Sequence, residues 1–171
     1  TGDRVLVLED TVELQCAARD HVPLRTRQGV VSMTELVRSS MRLRPDRVVV
    51  GEVRGAEALD LIKVWGTGHP GGIATIHAGS ALGALLRLEQ LILEVAVNPP
   101  RALIAEAVNV VIHIAGRGRK RRIESIARVV GFDGSGYQLA DALEAPFPEL
   151  LPQSDLCLLY TSPSPRDQRG S

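Results

Sequence analysis

A run of valines that ends in a glycine and a glutamate constrains the fold of this chain more than any other feature. Residues 47–50 read Arg-Val-Val-Val and are followed by Gly51 and Glu52. A short run of β-branched residues predicts a strand that is buried on both faces, as in a parallel sheet. Such a strand carries Glu52 to the edge of the sheet at which open α/β proteins bind their ligands.

Two further segments repeat this pattern of an apolar strand that ends in ionisable residues. Residues 4–8 read Arg-Val-Leu-Val-Leu and lead into Glu9 and Asp10. Residues 72–76 read Gly-Ile-Ala-Thr-Ile and lead into His77. Three strands that each end in an ionisable group predict one shared polar rim.

Helices are predicted between these strands, at residues 33–43 and 56–65, because apolar residues recur there at helical spacing. Thr34 is a candidate N-cap for the first of them. Alternating strands and helices indicate βαβ units, in which neighbouring strands run parallel. Parallel strands end at the same edge, so we expect the following side chains to converge: Glu9, Asp10, Glu52 and His77.

The second half of the chain predicts two more helices and a β-hairpin. A helix is expected over residues 80–97, with Leu85, Leu88, Ile92 and Val95 on its apolar face, and another over 101–107. Residues 108–115 and 123–132 read as the two strands of a hairpin. The basic run at 116–122 is then the hairpin turn, or alternatively a contact for acidic lipid or a partner.

Composition excludes several classes of protein. The 171 residues carry 20 basic and 20 acidic side chains, and this balance disfavours direct nucleic-acid binding. Hydrophobic residues make up 44%, which is enough for a core, but aromatic residues make up 3%, so that core is aliphatic. The two cysteines provide no disulfide framework, as is typical of a reducing compartment. No apolar run is long enough to span a membrane.

The lysines decide whether a phosphate-binding loop is present. A P-loop requires Gly-Lys followed by Ser or Thr, because that lysine reaches the terminal phosphates. Only two lysines occur, Lys63 after Ile62 and Lys120 after Arg119. The sequence therefore contains no Walker A motif.

The last residues share no pattern with the rest of the chain. We expect residues 1–152 to form one domain and residues 153–171 to be a non-native or disordered tail, since the Ser/Pro-rich stretch resembles a translated adapter. The first residue is Thr1 rather than Met, so we expect the chain to be a fragment of a longer protein.

Three motifs resemble those of the hexameric type II/type IV secretion ATPase family, and within it the conjugal transfer branch. Residues 8–14 (Leu-Glu-Asp-Thr-Val-Glu-Leu) resemble its acidic box. Residues 44–54 resemble its atypical Walker B motif, in which glycine replaces the usual aspartate. Residues 67–80 resemble its histidine box. The family's Walker A motif and N-terminal domain have no counterpart in this sequence.

The resemblance implies a fold: part of a RecA-like P-loop NTPase core, an α/β domain whose mainly parallel sheet is flanked by helices and followed by the hairpin. It implies an ATPase of conjugative secretion that binds ATP and Mg²⁺, forms a homohexamer, and works beside inner-membrane channel components on the cytoplasmic face. The family's branches are poorly separated by these motifs, so a type II secretion or pilus motor is the alternative. Without its Walker A motif the fragment is expected to be inactive, and a non-catalytic assembly module is a further alternative.

Specific roles follow from these motifs and from the strand-end positions. The catalytic candidates are Glu52, as the base or orienter of the attacking water, and His77, at the rim beside the γ-phosphate. Candidates for Mg²⁺, directly or through water, are Glu9 and Glu52. Candidates for nucleotide contacts are Glu9, Asp10, Glu13, Arg25, Arg54 and His69.

Each role has a structural alternative. Glu52 is also suited to stabilise the start of the following helix. The acidic box is also compatible with a solvated turn, and the arginines with surface ion pairs of little energetic value. His77 suits a packing role, and His69 and His77 lack a third residue that would make them a metal site.

Overall fold

The computed structural model describes residues 2–142 and a strand at residues 158–162. These described residues contain eight strands and four α-helices. The strands are β1 (Arg4–Glu9), β2 (Asp20–Arg25), β3 (Arg47–Val50), β4 (Ile73–His77), β5 (Val110–Ala115), β6 (Arg122–Phe132), β7 (Tyr137–Asp141) and β8 (Leu158–Ser162). The helices are α1 (Met33–Ser40), α2 (Glu57–Gly66), α3 (Ala81–Leu93) and α4 (Arg101–Ala107).

All eight strands join one sheet in the order β2-β1-β3-β4-β8-β5-β6-β7. The first six strands in this order are parallel to their neighbours, whereas β5, β6 and β7 pair antiparallel. The expected α/β architecture, a mainly parallel sheet with helices and a C-terminal hairpin, is confirmed. The basic run forms the turn between β5 and β6, as the hairpin interpretation predicts.

The core is aliphatic and is centred on the parallel strands. The inward residues of β1, β3 and β4 are almost completely buried, at 0–1% exposure: Leu6, Leu8, Val48, Val50, Ala74 and Ile76. Burying one such side chain contributes about 1.5–3 kcal/mol relative to leaving it exposed. The helices pack their apolar faces on this layer, which fixes the carboxyl ends of the three strands side by side.

The first helix begins at Met33 as predicted, but its N-cap and its C-terminal end differ from the prediction. Ser32, not Thr34, is the N-cap, and it forms a capping box with Glu35: the Ser32 Oγ accepts from the Glu35 N–H at 3.3 Å, while the Glu35 carboxylate accepts from the Ser32 N–H at 2.7 Å. This box satisfies two helix-end donors. The helix ends at Ser40 and continues as a 3₁₀ turn over Met41–Leu43.

The third helix is shorter than predicted. It ends at Leu93 rather than at residue 97, and Val95, which was expected on the buried face, is 54% exposed. The prolines at 99 and 100 prevent the helix from continuing past residue 97, because proline removes a helix donor and disfavours helical backbone at the preceding residue, but they do not account for its end at Leu93. The other three predicted face residues, Leu85, Leu88 and Ile92, are buried.

Three strands were not predicted. Strand β2 is an edge strand that contains Pro23, a residue tolerated there because one side of an edge strand makes no ladder bonds. Strand β7 extends the hairpin at the opposite edge of the sheet. Strand β8 lies in the segment 153–171 that was expected to add nothing to the fold, and it pairs parallel with both β4 and β5. The origin of that segment stays a prediction.

None of the helices in the described part of the chain combines the length and hydropathy that are needed to span a bilayer.

Candidate functional site

The carboxyl ends of three neighbouring strands meet at one edge of the sheet. Leu8 of β1 pairs with Val50 of β3, and Val50 pairs with Ala74 of β4, all in parallel register. The residues that follow these positions therefore emerge side by side. The predicted convergence of the strand ends is confirmed.

Glu52 lies at the centre of this edge. Its Oε1 is 2.9 Å from Nε2 of His77, and its Oε2 forms an ion pair with Nη2 of Arg54. The Glu52 side chain is 19% exposed and that of His77 is 30% exposed, so solvent reaches both groups. A carboxylate that is fixed between two donors and still touches solvent is positioned to act on a bound water.

Backbone contacts fix the turn that carries Glu52 against β4. The Val53 N–H donates to the Thr75 carbonyl at 2.9 Å, and the Thr75 hydroxyl donates to the Gly51 carbonyl at 2.6 Å. These two bonds lie on either side of Glu52 in the sequence. They therefore fix the backbone from which the Glu52 side chain extends towards His77.

A second carboxylate, that of Glu57, accepts hydrogen bonds from the backbone of the same turn. Its Oε1 accepts from the backbone N–H of Arg54 at 2.6 Å and of Gly55 at 2.9 Å, and the residue is 7% exposed. Ala56, at the helix N-cap, makes no side-chain capping bond, and Glu57 instead binds the two N–H groups that precede the helix. Sequence analysis missed this role, although an acid in the first turn of a predicted helix was a signal for it.

Arg54 connects Glu52 to the acidic box. Its Nη1 lies 3.7 Å from Oδ2 of Asp10, while its side chain is 64% exposed. The hydrogen bond to Glu52 raises the pKa of Arg54 above its ordinary value, and the charges of Asp10 and Glu13 raise it further. Arg54 is thus a permanent cation that neutralises Glu52.

The acidic box itself is more structured than a solvated turn. Glu9 is 4% exposed, and its Oε1 accepts from the backbone N–H of Glu13 at 3.0 Å and of Leu14 at 2.8 Å. Asp10 accepts from the Thr26 hydroxyl at 2.6 Å. Glu9 therefore folds the loop after β1 and presents Asp10 to the edge of the sheet.

Gly51 lies close to Glu9. A Cβ placed on Gly51 would lie 3.3 Å from Cγ of Glu9 and 3.6 Å from the Leu8 carbonyl oxygen. A larger residue at this position would therefore require the Glu9 side chain to shift by a few tenths of an ångström. The Gly51 N–H also donates to the Leu8 carbonyl at 2.8 Å.

Two predicted nucleotide contacts lie farther from Glu52. Arg25 ends β2 opposite Glu9, so it lies on the same edge of the sheet but two strands away from β3. His69 precedes β4, whereas His77 ends it, so His69 lies near the amino end of this strand and His77 at its carboxyl end. The structure does not bring His69 to the cluster, because the two histidines flank the strand rather than share one end.

A cavity of about 350 Å³ opens beside the cluster. Its lining comes from the turn after β3, the end of β4 and the second turn of α3: Glu52, Val53, Arg54, Ile76, His77 and Arg87. A neighbouring cavity of about 520 Å³ lies on the other side of Asp10, under the loop that leads into α1. Arg87 was not among the site residues that the sequence predicted.

The carboxylates of Glu9 and Glu52 are better suited to bind a metal ion through water than to coordinate it directly. Within residues 2–142, no three His, Cys, Asp or Glu side chains are grouped so that they could hold a metal ion. Glu9 already accepts two backbone bonds through Oε1, and both oxygens of Glu52 have partners. Mg²⁺ commonly keeps several waters and needs only one or two carboxylates, so the residues fit that mode.

The family model and the similar sequences indicate the same protein family. The sequence model of the family described as "Type II/IV secretion system protein" matches residues 1–126. The chain is 48% identical over 136 residues to the conjugal transfer protein TrbB of Rhizobium radiobacter and 50% identical over 137 residues to a probable conjugal transfer protein TrbB of Sinorhizobium fredii. Both alignments cover 80% of this chain and 42% of the relative, so the chain spans about two fifths of their length.

Solved structures agree with the sequence relatives. The VirB11 ATPase of the Brucella suis type IV secretion system, solved with sulphate, matches with a TM-score of 0.66 at 32% identity, over 74% of this chain and 40% of that one. The Legionella pneumophila ATPase DotB matches with a TM-score of 0.53 at 22% identity, over 66% of this chain and 32% of that one, which supports the fold alone.

Proposed function

Because this chain belongs to the type II/IV secretion system protein family, we propose that it forms the hydrolytic edge of an ATPase that powers conjugative type IV secretion. The observation that carries the proposal is the position of Glu52, held between His77 and Arg54 at the carboxyl end of β3. TrbB-type relatives favour conjugative transfer over the type II or pilus alternative.

Glu52 acts on the attacking water. Its carboxylate orients the water, or accepts a proton from it, while the water oxygen bonds to the γ-phosphorus and the bond to the ADP oxygen breaks. His77 holds Glu52 through the 2.9 Å contact and lies beside the transferred phosphoryl group. Arg54 neutralises the carboxylate in the resting site, which lowers the repulsion that a polyanionic nucleotide meets there.

The acidic box serves the nucleotide and its cation. A bound Mg²⁺ would supply positive charge that neutralises the phosphates. Glu9 and Glu52 are the carboxylates that would hold it through water, with Asp10 and Glu13 adding negative charge beside Arg54. Arg25, at the end of the flanking strand β2, is a candidate nucleotide contact, whereas His69 lies at the other end of β4 from Glu52 and His77.

Nucleotide affinity depends on a segment that this sequence does not contain. A phosphate loop provides backbone N–H groups and a lysine for the phosphates, and neither lysine of this chain lies in such a motif. The relatives are more than twice as long as the aligned region. We therefore propose that residues 1–171 alone do not hydrolyse ATP measurably and that the parent protein does.

The parent assembles as a homohexamer beside inner-membrane components of a secretion channel, on its cytoplasmic side. In such a ring, an arginine that one subunit offers to the next can stabilise the charge of the transition state. Arg25 and Arg54, both on the catalytic edge of the sheet, are the candidates for that role.

The test compares Glu52→Gln with wild type in the full-length parent protein. The amide keeps the shape of the carboxylate but loses its basicity, so ATP binding is retained while turnover falls by roughly a hundred- to ten-thousandfold. Glu106→Gln, an exposed acid on α4, is the matched control. Near-normal turnover of Glu52→Gln, measured beside a nucleotide-binding titration, would show that Glu52 is structural.

A further inference from the structure

The turn between β5 and β6 forms a cationic tip that projects from the domain. Every residue from 117 to 125 is exposed, so neither face of the first part of β6 is covered. Five of these nine residues are cations: Arg117, Arg119, Lys120, Arg121 and Arg122. The acid among them, Glu124, lies 3.3 Å from both Arg122 and His113. Residues 117–123 are named the basic tip.

Four cations of the basic tip have no counter-charge in the domain. Among the residues that the structure describes, no carboxylate lies within ion-pair distance of any cation of the tip except Arg122. The backbone that carries them is tightly closed. The Lys120 N–H donates to the Arg117 carbonyl at 2.9 Å, and Gly116, at φ 85°, leaves no room for a Cβ beside the Lys120 carbonyl. A compact support therefore concentrates positive charge that is available to an acidic partner.

An acidic segment of the same chain has the complementary character. Residues 10–15 are all exposed, and they carry two carboxylates, Asp10 and Glu13, and no cation. Val12 and Leu14 lie on either side of Glu13 and are 51% and 39% exposed. Glu13 makes no ion pair within the described part of the chain, whereas Asp10 lies 3.7 Å from Arg54. This segment, residues 10–15, is named the acidic loop.

The topology points both segments in one direction but keeps them apart. Strands β1 and β5 run parallel to the strands between them, so the acidic loop after β1 and the basic tip after β5 both project from the carboxyl edge of the sheet. The two strands are four positions apart in the sheet, or about 19 Å at the usual spacing of about 4.8 Å. The acidic loop then leads to β2, away from β5. The two segments therefore cannot pair within one copy, but they can pair between neighbouring copies.

We propose that the basic tip of one copy docks on the acidic loop of the next. The inference rests on the homohexamer proposed for the parent and names the surfaces that join its subunits. Ile123, 59% exposed at the end of the tip, would pack on the apolar residues of the acidic loop, while the charge pairs fix the orientation. A contact between two different patches is heterologous, and a heterologous contact closes a ring when its rotation allows.

Other anionic partners fit the surface less well. Single-stranded nucleic acid is bound largely by stacking of bases on aromatic side chains, and residues 116–125 contain none. An anionic membrane would neutralise the basic tip but would leave the acidic loop of the same edge without a partner. A second copy satisfies both segments with one contact.

The test exchanges the charges of the two segments in the full-length parent. One variant combines Arg119→Glu, Lys120→Glu and Arg121→Glu; the other combines Thr11→Arg and Glu13→Arg. Each variant alone should assemble with a midpoint concentration raised on the order of tenfold or more, because like charges then meet across the contact. An equimolar mixture should recover assembly, since the acidic tip of one variant faces the basic loop of the other. Sedimentation velocity measures all three samples.

A matched control carries the same change in net charge elsewhere on the surface. It combines Arg38→Glu, Arg42→Glu and Lys63→Glu, three exposed positions on α1, the 3₁₀ turn and α2, and it should assemble as wild type does. Raising the salt concentration should weaken wild-type assembly, because exposed charge pairs are screened.

The possible results separate this contact from the proposed function. Wild-type assembly by the tip variant, or a mixture that does not recover, would overturn the contact and leave the ATPase proposal untouched. A wild-type parent that remains monomeric would contradict the ring itself and this contact with it, whatever its ATP turnover. If the tip variant assembles normally but loses binding to phosphatidylglycerol vesicles, the tip is a membrane contact and the inference is wrong.

Discussion

Nε2 of His77 and Oε1 of Glu52 lie 2.9 Å apart, although the two residues end different strands and are 25 positions apart in the sequence. The contact joins β4 to the turn after β3. The hydrogen bonds of Thr75 with Gly51 and Val53 stabilise the same turn. The Glu52 and His77 side chains are thus held together as a pair. Precise placement of this kind is what an enzyme needs to orient a water.

Replacing His77 should affect catalysis more than binding. In the full-length parent, His77→Ala removes the contact that fixes Glu52, so turnover should fall by up to about a hundredfold while ATP binds almost as before. His77→Gln keeps a donor at this position and should retain more activity than alanine. Steady-state rates and binding titrations on both variants check this, and a matched loss in affinity and rate would contradict it.

Gly72 should tolerate no side chain. A Cβ there would lie 2.7 Å from the Val48 carbonyl oxygen and would collide with Nε1 of Trp65, which packs against β3 and donates to that carbonyl. Gly72→Ala should therefore destabilise the domain by about 1–3 kcal/mol or more. Gly79→Ala is the control, because no atom lies within 4 Å of its added Cβ. Urea unfolding of both variants measures the difference, and equal midpoints would refute the collision.

The turn between β6 and β7 should make stability sensitive to acid. Asp133 accepts bonds from the N–H of Gly136 and from the N–H and hydroxyl of Ser135, which lower its pKa from 3.8 to about 2. Because the pKa of Asp133 is lower in the folded than in the unfolded protein, ionised Asp133 stabilises the fold at pH values above its unfolded pKa. This contribution to stability is lost as pH falls from about 4 to about 2. The stability difference between wild type and Asp133→Asn should therefore shrink across that window. A constant difference in unfolding midpoints would argue against it.

Removing strand β8 should weaken the sheet. Truncation after residue 152 deletes Leu158–Ser162 and leaves β4 and β5 without their shared parallel neighbour. Each lost backbone hydrogen bond costs about 0.5–1.5 kcal/mol, and exposed strand edges favour association. We expect a lower thermal midpoint and aggregation, whereas truncation after residue 162 is the control that keeps β8. Identical midpoints for the two truncations would mean that β8 adds nothing to stability.

The motifs at the strand ends were predictable because they depend on short-range patterns. The valine run of β3 and the apolar runs of β1 and β4 specify buried strands by composition alone, and the two helical segments between them require parallel order. Glu52 and His77 follow from that order without knowledge of any contact. The hairpin and its basic turn were predictable for the same reason.

Contacts made by unpatterned residues were not predictable. Strand β2 contains a proline and alternates weakly, so only its pairing with β1 identifies it. Glu57 and Arg87 look like ordinary helix-surface residues in the sequence, and their roles depend on which turn or cavity each helix faces. His69 was predicted to contact the nucleotide because it lies in the same motif as His77, yet β4 separates the two histidines, with His69 before the strand and His77 at its end.

The sequence by itself therefore determined the architecture and the chemical character of the site: parallel strands that deliver carboxylates and a histidine to one edge. These properties follow from residue type and spacing along the chain. Tertiary structure decided which of these groups touch, with Glu52 clamped between His77 and Arg54, Glu9 turned into its own loop, and Arg87 brought back from α3. Side-chain contacts depend on packing between distant segments, and local patterns do not encode those distances.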